Sequence, residues 1–192
     1  MRTPSPKAFC IVVTVLVGAQ ADALVAQSLS EPKVLLCEEV SFSRPDHGAV
    51  YSGPVSISAY QFSAVIPKGA KAWGAAPGAP FHGFTIYWTG PSDSKACIDF
   101  KIGVHVDLPE EGVTPQASSA KVTSVQVGNR AGTQLTKVGT RHGVRFENVI
   151  VAVGLVRGGE TDDVEITLVT PVRSAAKFRS ILDKFVSGLK FQ

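Results

Sequence analysis

Much of what would point directly to a chemistry is scarce or missing in these 192 residues. No CxxC, no HExxH and no Cys/His cluster occurs, which leaves no sequence basis for a metal site. There is no GxSxG elbow, SxxK or Gly-rich nucleophile turn either. The acidic pairs Glu110-Glu111 and Asp162-Asp163 lack the repeated spacing of a calcium loop. Charge is also thin, at 18% of residues, with 19 basic side chains against 16 acidic. So mild an excess excludes the usual nucleic-acid binder. No G-X-Y period and no sustained heptad is present, which excludes collagen-like and coiled-coil chains. Yet 44% of residues are apolar, too many for a disordered chain. One ordinary domain with a real core and no cofactor is the expectation.

Long apolar runs are missing too. The run from Ala8 to Ala19 has 12 residues, short of the roughly 20 that span a bilayer. Arg2 and Lys7 precede it, and Ala19-Gln20-Ala21 and Ala21-Asp22-Ala23 follow as A-x-A sites. A positive start, an apolar middle and small residues make a secretory signal peptide, predicted over 1–23 and cleaved to leave a single domain over 24–192. An uncleaved anchor or a buried strand is the competing reading. No later stretch could span a membrane, so a soluble, secreted or periplasmic protein is expected.

Cleavage changes the cysteine arithmetic. Cys10 is lost, and Cys37 and Cys97 are left as a pair. In an oxidising compartment they are expected to form one disulfide, worth about 4 kcal/mol in the chain-entropy model. Two unrelated buried thiols are the alternative.

The mature chain reads as strands followed by one helix. Val34-Leu35-Leu36-Cys37 opens a first strand running through Val40 and Phe42. Val55, Ile57 and Ala59 alternate, and Tyr60, Phe62 and Ala64 resume in the other phase, which predicts a bulge or a change of face. A Gly/Ala/Pro-rich loop is expected over Pro67–Gly83, and Phe84, Ile86 and Trp88 then form a strand. Ile98, Phe100, Ile102, Val104, Val106 and Leu108 alternate strictly with Asp99, Lys101, Gly103, His105 and Asp107, a half-buried antiparallel strand with a solvated polar face. Further strands are expected at Val122–Val127, Leu135–Val138, Val144–Leu155 and Val164–Val169, the last two joined by a loop over Arg157–Asp163.

From Ser174 the period changes. Phe178, Ile181, Leu182, Phe185 and Leu189 recur every three or four residues, one stripe of an amphipathic helix with Ser174 as N-cap. Its basic outer face, Arg173, Lys177, Arg179, Lys184 and Lys190, reads as solvated. The fold class is therefore α+β: a largely antiparallel twisted sheet with a C-terminal amphipathic helix packed on one face and a single disulfide. The late hairpin and the F-x-x-I-L-x-x-F pattern at Phe178–Phe185 are similar to the end of the Mog1/PsbP-like fold. That similarity covers the last third of the chain, without the earlier helices of such domains, and fixes no function.

Two candidate sites follow. The aromatic segment with Trp73, Phe81, His82 and Trp88 combines large rings with a stiff, sharply turning backbone, as binding loops do. The competing and plainer reading is that these rings fold back to cap the sheet's open end. His105 and Asp107 share one strand face about 7 Å apart, where a carboxylate can orient an imidazole. The leading reading is an exported, soluble, non-enzymatic binding protein of the cell envelope or exterior, of accessory or inhibitor type. Its partner would be another envelope or secreted protein, with no nucleic acid and no transmembrane segment. A small secreted hydrolase using His105 and Asp107 is the alternative.

Overall fold

The computed structural model describes residues 32–40, 48–57, 61–74, 82–88, 90, 93–104, 120–157 and 160–191. The predicted leader with Cys10 lies outside the described residues, as do Phe81, His105 and Asp107. A short helical turn, α1 (Cys37–Val40), precedes β1 (Val50–Tyr51), β2 (Pro54–Ile57), β3 (Phe62–Val65), β4 (Ala70–Gly74), β5 (Gly83–Trp88) and β6 (Cys97–Val104). Then come β7 (Lys121–Val127), β8 (Arg130–Arg141), β9 (Val144–Arg157), β10 (Glu160–Pro171), the helix α2 (Ala175–Ser187) and β11 (Lys190–Phe191). Among the described residues these strands form an eight-stranded sheet, ordered β1-β4-β5-β6-β10-β9-β8-β7, and a three-stranded one, β11-β3-β2. Both are antiparallel. The predicted fold class, mostly antiparallel sheet with a C-terminal helix and one disulfide, is what the chain adopts.

Alternation explains the core. Register sets Phe84 opposite Phe100 and Phe100 opposite Ile166, with Ile86, Ile98 and Leu168 one row along. All six side chains are fully buried on one face, here termed inner. The stripe of α2 lies on it: Trp88 meets Phe178 edge-on at 4.8 Å, and Phe185 meets both Phe84 and Phe100 edge-on. Phe62 of the small sheet stacks on Phe100 at 4.9 Å. Each such buried ring contributes about 2–3 kcal/mol through area removed from water. Ser174 stands at the N-cap of α2 but makes no side-chain capping bond. Two of the basic helix residues are not simply solvated, since Arg179 forms a two-pronged pair with Glu147 and Lys177 pairs with Asp93 at 2.6 Å. The Glu147 carboxylate raises the Arg179 pKa above its ordinary value.

Tight turns close the long hairpins. His142 and Gly143 both have positive φ, 51° and 72°, the signature of a two-residue turn whose twist matches its strands. At the other end of β8, the Gly128 N–H donates to the Val186 carbonyl of α2 at 2.9 Å. A Cβ on Gly128 would meet the Leu189 oxygen at 2.1 Å, so glycine is what lets this turn dock on the helix end.

The structure corrects several expectations. Val34–Cys37 is not a strand. Residues 32–36 run without regular pairing into α1, because Asn148 takes both polar groups of Leu35: its Oδ1 accepts from Leu35 N at 2.6 Å and its Nδ2 donates to Leu35 O at 3.1 Å. Glu39 then accepts from Leu36 N at 2.7 Å, which closes the helical turn. The chain reverses direction between Ile57 and Phe62, since Val55 pairs with Ala64 and Ile57 with Phe62, while Ala59 and Tyr60, where the phase slip falls, lie outside the described residues. Trp73 lies in strand β4 opposite Thr85, not in a loop. The β9–β10 connection is shorter than predicted, with Glu160 paired to Arg157.

The polar face of β6 is the largest correction. Asp99 is 1% exposed, not a surface charge. Register places it between Thr85 and Thr167, both equally buried. Thr85 Oγ1 donates to its Oδ1 at 2.5 Å, and Lys101 Nζ lies 3.2 Å from its Oδ2. Thr85 of β5 and Lys101, two places along β6 itself, thus supply partners that let a carboxylate be buried.

Candidate functional site

The sequence-predicted aromatic residues are not brought together. Trp73 and Trp88 lie on opposite faces of the sheet, as their register with β5 and β4 requires. Both are buried: Trp73 packs edge-on to Tyr87 at 5.9 Å on the outer face, and Trp88 belongs to the inner core. His82 is exposed at the entry to β5, where its carbonyl accepts from Ile102 N at 2.9 Å. Neither Phe81 nor the His105–Asp107 pair is among the described residues.

A different surface has the shape of a site, and it grows out of the disulfide end of the large sheet. Cys97 opens β6 and stands opposite Val169 near the end of β10, while Pro171 stands opposite Phe146 near the start of β9. That register brings three connections to one end: the turn before β6 with Lys95, the β8–β9 turn with His142, and the 3-10 turn Val172–Ser174. The chain segment before α1 crosses the same end. Its Val34, Cys37 and Val40 pack on Cys97, Phe146 and Val169. The Cys37–Cys97 disulfide joins it to β6, with the Cα atoms 5.9 Å apart.

Between these parts lie two recesses. One, of about 310 Å³, is lined by Lys95, Arg145 and Arg173 together with Val144, Pro171 and Val172. The other, of about 200 Å³, is lined by Leu36, Cys37, Glu38, Arg141, His142 and Phe146 among others. Lys95 and Val144 line both, so the two recesses adjoin, and together they are termed the trough. Its cations differ in availability. Arg141 is committed, donating to the Val34 carbonyl at 2.9 Å and gripping Glu39 with both terminal nitrogens. That grip holds the Glu39 carboxyl below its ordinary pKa, helped by the bond from Leu36 N. Lys95, Arg145 and Arg173 have no acidic partner among the described residues. The larger recess is therefore a positive concavity with apolar walls, suited to an anionic group attached to an apolar one. Sequence reasoning missed it because its residues come from three separated segments. Among the described residues no cluster of three or more metal-ligating side chains is present, and no helix is long and apolar enough to cross a membrane.

No family model and no curated protein matches the chain. Solved structures do resemble it. LpqN of Mycobacterium tuberculosis, described as involved in cell envelope biogenesis, aligns with a TM-score of 0.52 at 11% identity, covering 73% of this chain and 90% of that one. The Ran-binding protein Mog1p of Saccharomyces cerevisiae aligns at 0.43 and 12% identity, over 74% of this chain and 96% of its own. A cyanobacterial PsbP from Synechocystis aligns at 0.37 and 9%, over 78% and 98%. The LpqN likeness shows a shared fold and nothing finer.

Proposed function

We propose that the protein is an exported, non-enzymatic binding protein of the cell envelope or exterior, in an accessory or inhibitor role. The observation that carries this reading is the Cys37–Cys97 disulfide, a bond that persists in secreted and periplasmic compartments and is rare in reducing ones. The signal peptide over 1–23 supplies the route. LpqN, which shares the fold, is described as involved in envelope biogenesis, and an envelope role is in keeping with that. A trough lined by cations and apolar side chains suits the capture of another molecule. Of the aromatic segment, exposed His82 is the part a partner would meet, while Trp73 and Trp88 serve the packing.

The test is expression of the full chain with its leader in a bacterial host, followed by intact mass spectrometry of the periplasmic fraction. The expected species has lost its first 23 or so residues and is two hydrogens lighter than the dithiol form. A species that keeps Met1 and carries alkylatable thiols at both Cys37 and Cys97 would overturn the reading. A photo-crosslinking side chain placed at His82 is then expected to yield a discrete adduct with an envelope or secreted protein.

A further inference from the structure

We propose that the trough at the disulfide end binds an extended acidic segment of a partner protein. The segment's carboxylates would meet Lys95, Arg145 and Arg173, and its apolar side chains would lie over Val144 and Val172. This rests on the binding-protein reading and adds the partner's chemistry and its place on the fold.

Charge comes first. Three cations line one recess of about 310 Å³ and none has an acidic partner among the described residues. Like charges gathered around a low-dielectric concavity focus their field into it. Two of the three are arginines, whose planar forks match a carboxylate with paired hydrogen bonds.

Apolar surface comes second. Val172 is 37% exposed, one of the few large hydrophobic side chains left open among the described residues, and it stands in the same wall as Arg173. A lone inorganic anion would leave that surface wet. An extended chain sends alternate side chains to opposite sides at about 3.3 Å per residue, so mixed acidic and apolar residues can meet cations and valines together.

Shape and direction come third. The second recess adjoins the first at Lys95, and its wall holds Glu38 and an Arg141 already paired with Glu39. Acidic residues of the partner gain least there, so they belong at the Arg145–Arg173 end. A bilayer surface is flat on this scale and would touch the rim cations without reaching the walls.

The test uses the purified, oxidised mature protein and a fluorescent peptide of about eight residues alternating glutamate and valine, a length matched to strand rise. Anisotropy is expected to show saturable binding that weakens with added salt, and the glutamine–valine analogue is expected not to bind. The double variant Arg145→Glu/Arg173→Glu should lose about tenfold or more in affinity. Lys184→Glu, an exposed change elsewhere on α2, should change it by less than about twofold. All three positions are solvent-facing, and equal melting temperatures confirm that folding is intact.

Inorganic phosphate should compete no better than its ionic strength predicts, and phosphatidylglycerol vesicles should not retain the protein. Failure of the peptide to bind, or equal losses in the double variant and Lys184→Glu, overturns the proposal. Vesicle binding that the double variant abolishes, without peptide binding, assigns the surface to membranes instead and also overturns it. Mass spectrometry of the recovered peptide separates the two readings. Cleavage would refute the non-enzymatic function and leave the trough as a substrate site, whereas an intact, unbound peptide refutes the trough proposal alone.

Discussion

The two faces of the large sheet are held by different kinds of chemistry. On the inner face, α2 and the small sheet bury a continuous apolar layer, in which Phe100 alone touches the rings of Phe62, Phe84 and Phe185. Stabilisation there is spread over many contacts of similar size. On the outer face, residues 32–40 are held by a few point ties: the disulfide, the Asn148 fork and the Arg141–Glu39 pair, over a smaller apolar cluster. A distributed interface loses stability in proportion to the volume removed. A pinned one can come loose as a unit while the rest of the fold stands, and the trough lies beside the pinned one.

The largest expected effect tests the distributed side. Phe100→Ala removes a fully buried ring from the middle of three others and should cost about 5 kcal/mol, the upper end for large-to-small changes, because no neighbour can collapse into the gap. Denaturant unfolding measures it, and the loss should be global. Replacing both cysteines, Cys37→Ala with Cys97→Ala, comes next at about 4 kcal/mol for a loop closed across 60 residues of separation. Here the comparison sharpens. Hydrogen exchange should rise over 34–40 by more than this global loss accounts for, while α2 and the inner-face residues of the sheet lose only the global share. If all amides lose protection by the same amount, the two faces are one cooperative unit and the contrast is wrong.

Sequence legibility follows the same division. The inner face was readable because period alone defines it: Phe178, Leu182 and Phe185 on a helix, Ile98, Phe100 and Ile102 on a strand. The disulfide was readable as well, since removing the leader leaves one pair. The outer face was not. Val34-Leu35-Leu36 is apolar enough for a strand, and nothing local reveals that Asn148, 113 positions away from Leu35, replaces the ladder. Buried Asp99 was misread for a related reason, because alternation assigns a face but not what covers it. The trough was beyond reach for the strongest reason, since register alone brings Lys95, the Arg141–Arg145 turn and Arg173 to one end.

A smaller effect isolates the fork itself. Asn148→Ala removes two hydrogen bonds that satisfy the Leu35 backbone, one partner being 1% exposed. The expected cost is about 2 kcal/mol, roughly one for each bond, with the disulfide intact. Local exchange at Leu35 and Leu36 should rise more than the global loss accounts for. Equal changes across the protein would mean that the fork supports the sheet rather than the strap formed by residues 32–40.

The smallest effect depends on pH and reports on the third tie. Arg141 holds the Glu39 carboxyl below its ordinary value, so the folded chain binds that proton less readily than the unfolded one. The tie is therefore fully present above the ordinary carboxylate pKa of about 4.3 and is lost as pH falls through the lowered folded value. Both partners are partly exposed, at 27% and 36%, so screening keeps the contribution to global stability small. It should show locally instead, as faster exchange at Leu36, Glu39 and Val40 on acidification once the intrinsic pH dependence of exchange is divided out. Arg141→Gln should flatten that response and raise exchange at neutral pH. An unchanged acid response in that variant would mean that another carboxylate secures the strap, with Glu38 the first to examine.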